Sequence, residues 1–241
     1  MKHLTISSLF AISLLAGCSS TDGIMPDLSP SELYQKAQIL LKEGNWSSAI
    51  HKLEALDSHY PFGVYSEQVQ LYLIYAYYKN NALVLGEATI DRFMRLNPNH
   101  PDTSWVLYMR GLTNMAKDKN VLYDLININC ADCNPEFARH AFVDFRRLLE
   151  QYPNSEYAAD AKKRMIALKN RLADYELTIA DFYVRRGAWI AVINRCKELQ
   201  RHFFDTIAAK KSLLLMLNAY EKLSLNVPAF HTRELIQLNN S

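Results

Sequence analysis

One spacing recurs along the chain and constrains its fold more than any other feature. Ala49, Leu53, Leu56 and Pro61 stand in the order small-x3-apolar-x2-apolar-x4-Pro. Gly86, Ile90, Phe93 and Pro98 repeat that order, and so do Ala141, Phe145, Leu148 and Pro153. Residues at i, i+4 and i+7 share one face of an α-helix, so each set predicts a helix with a single apolar stripe. The small residue lets a neighbouring helix approach closely. The proline ends the segment, because it has no N–H to donate and its ring clashes with the preceding turn. A fourth copy reads Val192, Cys196, Leu199 and Phe204, with phenylalanine in the proline position.

The segments upstream of these helices also match one another. "AQILLKEGNW" carries Ala37, Gly44 and Trp46, and "ADFYVRRGAW" carries Ala180, Gly187 and Trp189 at identical spacing. Each glycine falls where one helix stops and a tight turn begins. The resulting helix–turn–helix register resembles the tetratricopeptide repeat, with about 34 residues per unit. The expected fold is all-α: a right-handed tetratricopeptide-repeat solenoid of about five helix pairs, stacked so that each unit buries its face on the next. The third unit is longer. Gly111 and Ala141 lie 30 residues apart, against 12 from Ala37 to Ala49, which leaves 18 extra residues around "KDKNVLYDLININCADCNP". That segment reads as a surface insertion, partly helical. No strong breaker falls between Asn154 and Arg186, so one long helix is expected there. The segment from Asp205 to Leu238 is expected to supply the fifth pair, with Pro228 near the start of its second helix.

The chain opens on an uncharged, mostly apolar run from Leu4 to Ala16. It is shorter than the roughly 20 residues a membrane-spanning helix needs, and it suits the apolar core of a secretory leader. The run ends in Leu15-Ala16-Gly17-Cys18, an order that resembles the bacterial lipobox. Cleavage before Cys18 and acylation of that cysteine would hold the protein on a membrane surface. Two acyl chains already suffice for stable anchoring. Ser19, in place of an aspartate, implies sorting to the outer membrane. Residues 1–17 are therefore assigned to a lipoprotein signal peptide, 18–29 to a flexible tether after the lipidated cysteine, and 30–241 to the repeat domain. A net charge of +2 gives no reason to expect polyanion binding. Cys130 and Cys133, in the polar run "NINCADCNP", read as loop thiols or a local disulfide. A redox pair would normally open a helix in a βαβ setting, and a zinc site would need more ligands. Cys196 reads as a buried free thiol.

No catalytic constellation emerges. The seven glycines are too dispersed for a phosphate loop, and no H-E-x-x-H or G-x-S-x-G is present. No metal or other cofactor is expected beyond the lipid on Cys18. Glu32, Glu43, Asp174 and Glu176 read as solvated helix-surface carboxylates. Tyr72, Tyr75, Tyr77 and Tyr78 crowd one helix and cannot all face one core, so some are expected to line the inner surface of the superhelix. There a tyrosine offers broad apolar contact and a hydroxyl at modest entropic cost. "HYPFGVY" turns between the first two units and places Phe62 and Tyr65 nearby. Arg195 reads either as a bidentate partner for a carboxylate on another protein or as an internal or merely exposed arginine.

"GNWSSAIHKLEALDSHYPFGVYSEQVQLYLIYAYYKN", "TIDRFMRLNPNHP", "YMRGLTNMA", "YPNSEY" and "RGAWIAVINR", together with the lipobox, resemble the BamD family. These are tetratricopeptide-repeat lipoproteins of the outer-membrane β-barrel assembly (BAM) machine. The resemblance covers nearly the whole chain. It implies a non-enzymatic scaffold on the periplasmic face of the outer membrane. It also implies a C-terminal half bound to the barrel-forming subunit BamA, and to BamC and other BAM lipoproteins where present. N-terminal repeats would recognise unfolded outer-membrane proteins, and no nucleic acid would be bound. On these terms Arg195 and Arg186 are expected on the BamA side, and Phe62, Tyr65, Tyr75 and Tyr78 in a groove for substrate peptides. The alternative is another repeat-type envelope lipoprotein, serving division or polysaccharide machinery. The Cys130/Cys133 loop, Phe204 and the C-terminal tail depart from the family pattern.

Overall fold

The computed structural model describes residues 28–118 and 134–240. The leader, Cys18, most of the tether, and the Cys130/Cys133 loop with nearly all of the insertion lie outside the described residues. Among the described residues ten helices follow in order: α1 (Pro30–Lys42), α2 (Trp46–His59), α3 (Ser66–Lys79), α4 (Leu83–Leu96), α5 (Thr103–Asp118), α6 (Glu136–Gln151), α7 (Ala158–Arg185), α8 (Trp189–His202), α9 (Ile207–Lys222) and α10 (Asn226–Asn240). Among the described residues there is no strand. Each helix packs on the next, and α3 also reaches α5 as α7 reaches α9. The result is a tetratricopeptide-like stack of five antiparallel pairs.

Short-range chemistry sets the ends of these helices. Ser29 caps α1 in a reciprocal box. The Glu32 N–H donates to Ser29 Oγ at 3.3 Å, and the Ser29 N–H donates to Glu32 Oε2 at 2.8 Å. Pro30 follows at the first helical position, where its missing N–H costs nothing. The turn inside each described pair has one geometry. Gly44, Asn81, Gly187 and Ser224 all take a left-handed φ, between 57° and 74°. Each stands two residues past the end of a first helix and two before the start of its partner. The residue that follows donates its N–H five positions back, as from Asn45 to Leu40 at 2.9 Å and from Ala188 to Tyr183 at 3.0 Å. Ala82 to Tyr77 and Leu225 to Tyr220 repeat the bond. These are Schellman closures, which satisfy carbonyls that the helix end would leave open.

The second helices of the first four units end alike. Tyr60, Asn97, Tyr152 and Phe203 leave the helix at φ near −130° and donate to Leu56, Phe93, Leu148 and Leu199. The next residue is proline three times and Phe204 once. The residue before a proline is driven out of the helical region. Phe203 makes the same exit without one, so the stop does not depend on the ring.

The recurring positions form the core. Ala49, Leu53, Ile90, Phe93, Ala141, Phe145, Leu148, Val192, Cys196 and Leu199 are all essentially inaccessible to solvent. Ala37 and Ala180 are buried in the facing helices. The expected uninterrupted helix between units is α7, 28 residues long. Gly111 on α5 meets Phe145 on α6 so closely that an added Cβ would lie 2.5 Å from the ring. Gly111→Ala is therefore expected to cost about 1–3 kcal/mol, as overpacking does in a filled core. Gly86→Ala meets only Tyr77 Cβ, at 3.4 Å, and should be close to neutral. Urea unfolding of the two variants against the parent protein checks both.

Candidate functional site

Two surfaces carry the residues that the sequence singles out. The first is the seam between α1 and α3. Tyr34 stacks on Tyr65 with ring centroids 4.3 Å apart and on Tyr72 at 5.9 Å. Gln38 donates to the Tyr72 hydroxyl at 3.3 Å. Further along α3, Tyr75 meets the edge of Trp46 at 5.6 Å, and the Lys79 ammonium sits 5.4 Å from the same indole. Burial, with the Tyr72 hydroxyl beside it, pushes the Tyr34 phenol up to about 12, so it stays protonated. The seam thus offers flat apolar faces, hydroxyls and an amide, with an ammonium at one end.

The four tyrosines of α3 divide as their number requires. Tyr77 is buried and donates to Glu54 at 2.6 Å. Tyr78 packs against the cluster of Leu71, Ile74, Ile90 and Phe93, away from the partners of Tyr75. Tyr75 is exposed, and Tyr72 is half-buried in the seam. Tyr65 lies where the seam meets a small apolar cleft of about 100 Å³, bounded by Pro30, Leu56, Tyr60, Val64 and Val69. Phe62 does not line that cleft. It projects from the turn above it.

The second surface joins the third and fourth units. Arg195 on α8 donates to Glu176 on α7 at 3.0 Å, and Arg139 on α6 reaches the other oxygen of the same carboxylate at 3.4 Å. Arg139 also lies over the ring of Tyr175. The expectation that Glu176 is a solvated surface carboxylate is corrected here, since its side chain is 13% exposed between two guanidiniums. Arg195 keeps 41% of its side chain open. An arginine carries five N–H donors, so donors remain for a second carboxylate. Arg186 has other surroundings. It is exposed in the turn after α7, with its guanidinium 4.6 Å from the Phe182 ring.

Beyond these residues, the last units expose large apolar side chains, of which periodicity marked only Phe204. Phe204, Ile207, Val227 and Leu238 are each at least 69% open. Among the described residues no group of three or more His, Cys, Asp or Glu is placed to hold a metal ion. Among them, too, no helix is long and apolar enough to cross a membrane.

A stack of helix pairs with an aromatic seam at one end and an arginine-bearing, apolar surface at the other is a helical-repeat scaffold. The comparisons with known proteins then fix its kinship. A family model named YfiO and described as an outer membrane lipoprotein matches residues 26–235. The chain is 60% identical to the outer membrane protein assembly factor BamD of Vibrio cholerae over 239 residues, 99% of each chain. It is 38% identical to that of Haemophilus influenzae, over 99% of this chain and 92% of the other. Against that of Neisseria meningitidis serogroup B it is 36% identical, over 98% and 90%. The chain belongs to the BamD family of outer-membrane lipoproteins.

Cys196 lies in the core between α8 and α9, and burial pushes its thiol up to about 12 despite the Ser212 hydroxyl nearby. Iodoacetamide at pH 8 should therefore leave Cys196 unmodified in the folded protein and alkylate it in urea. Native-state labelling at the rate of a free thiol, read by peptide mass, would mean that this core opens.

Proposed function

We propose that this protein is an assembly factor for outer-membrane β-barrels, held by acyl chains on Cys18 at the periplasmic face of the outer membrane. It docks BamA through its C-terminal half and offers its N-terminal repeats to unfolded outer-membrane proteins. The observation that carries the reading is the match to the outer membrane protein assembly factor BamD of Vibrio cholerae, 60% identical over 99% of each chain. Residues 1–17 remain the proposed signal peptide and 18–29 the proposed tether; the capping box at Ser29 supports the start of the repeat domain at residue 30.

On the docking side, the Arg139–Glu176–Arg195 group holds two cations and one anion. A carboxylate from BamA would satisfy the surplus charge through a bidentate contact with Arg195. Arg186, beside the exposed Phe182, extends that surface. The open apolar side chains of α9 and α10 give the same half of the molecule area to bury against BamA, and against BamC or other BAM lipoproteins where these occur. On the substrate side, Tyr65, Tyr72 and Tyr75 line the seam. An extended strand end would gain ring contacts there without strict sequence readout. Tyr78 contributes by holding α3 on its neighbour.

Arg195→Glu should weaken co-purification with BamA about tenfold, the scale of a lost charge-assisted hydrogen bond, with the helical fold kept although a carboxylate set against Glu176 lowers the melting temperature. Unchanged yield would remove Arg195 from the interface. Tyr75→Ala should lower photocrosslinking to peptides from barrel C-termini severalfold. Equal crosslinking would confine Tyr75 to its contact with Trp46.

A further inference from the structure

The turn between α2 and α3 carries an unusual display. Phe62 and Val64 are each 94% exposed, more than any other large apolar side chain among the described residues. Tyr60 beside them is also open, and residues 60–66, "YPFGVYS", hold no Asp, Glu, Lys, Arg or His. The display is fixed in shape. The Gly63 N–H donates to the Tyr60 carbonyl at 3.0 Å, and the Ser66 N–H donates to the Gly63 carbonyl at 3.0 Å. Pro61 has no N–H at all, so the tip carries fewer polar groups that would need water. A convex, uncharged, internally bonded tip does not grip a peptide. The cleft behind it, near 100 Å³, is smaller than the roughly 150 Å³ cavity that takes a benzene.

The position of the tip says what covers it. Pro30, the first residue of α1, borders the same cleft as Tyr60 and Val64. The chain therefore enters the folded body beside this turn. Cys18 precedes Ser29 by 11 residues, which span at most about 40 Å when fully extended. The lipid anchor can lie no further than that from the start of α1, which borders the turn.

We infer that the Tyr60–Val64 turn is a second membrane contact, in which Phe62 and Val64 insert among the headgroups of the phospholipid surface to which the anchor is attached. The inference rests on acylation of Cys18 as proposed above. Aromatic side chains partition to the bilayer interface. Apolar area added to a lipid anchor strengthens attachment and, from a fixed turn, also orients the body. The acyl chains alone would leave the scaffold free to tumble within reach of the tether. With the turn inserted, the α1 end faces the membrane and the last units stand away from it.

The test uses the full-length lipidated protein in vesicles of phosphatidylethanolamine and phosphatidylglycerol. Flotation and intact mass report the anchor, and tryptophan emission reports the turn. Phe62→Trp should add a blue-shifted signal over Trp46, Trp105 and Trp189, and lipids brominated near the headgroup should quench it. Phe204→Trp, on the turn before α9, should add an unshifted and unquenched signal. Protein that floats but shows an unquenched tryptophan at 62 overturns the inference and leaves the anchor intact. Equal quenching at 62 and 204 overturns it as well, since the turn then has no special contact. Absence of flotation and of lipid mass overturns the anchored reading and the inference together. Shielding at 62 that appears only when an unfolded barrel segment is added, without lipid, assigns the turn to substrate instead.

Discussion

Everything in this molecule depends on helices approaching one another more closely than ordinary side chains allow. At several of the helix contacts the fully buried residue has little or no side chain. Gly111 against Phe145 is the extreme case, and Ala37, Ala49, Ala141 and Ala180, all without accessible surface, fill the same role elsewhere. Close approach lets each pair bury its stripe on the next. A single pair could not do so, because its outer face would remain wet, and stability in such stacks comes from the interfaces between neighbours. The left-handed residue in each of the four described turns inside a pair is the second half of the device. It reverses the chain in four residues, so the two helices begin already in contact.

Those two requirements explain how much of the fold was legible in the sequence. The apolar stripe and its small partner leave a fixed spacing, and the small and stripe residues named from it are buried, whereas Phe204 at the closing position is open. The turns were half legible. Gly44 and Gly187 announce a left-handed φ because glycine has no Cβ to clash. Asn81 and Ser224 adopt the same conformation without announcing it. Asparagine visits that region readily, whereas serine is held there by the hydrogen bonds on either side. Phe204 marks a boundary by spacing alone, since the same backbone bond at Phe203 ends the helix without a proline.

The functional surfaces were less legible, because they depend on which side of a helix meets water rather than on periodicity. Glu176 looks like any surface carboxylate along the chain. Its pairing with Arg139 and Arg195, 37 and 19 residues away, exists only once three helices are stacked. Four tyrosines in seven residues signalled an excess over what a core can take, yet only the packing separates Tyr77 from Tyr75. Phe62 was visible as an aromatic residue in a turn. Its near-complete exposure, and its place beside the entry of the chain, required the fold.

The third unit shows how the stack tolerates its long connection. A longer loop costs little additional closure entropy, but it does little to fix the register of the helices it joins. Register must then come from the interface itself. Asp144, buried on α6, accepts from Arg110 at 2.7 Å and from Asn114 at 2.8 Å, both on α5. Burial raises its carboxyl above the usual range although Arg110 pulls the other way. Such a group is poor evidence for added stability. Its strength is geometric, because sliding α5 by one turn would strand a charge in the core. Ring against glycine and carboxylate against arginine thus fix one alignment of α5 and α6. The ends of the scaffold therefore keep a defined spacing across the insertion.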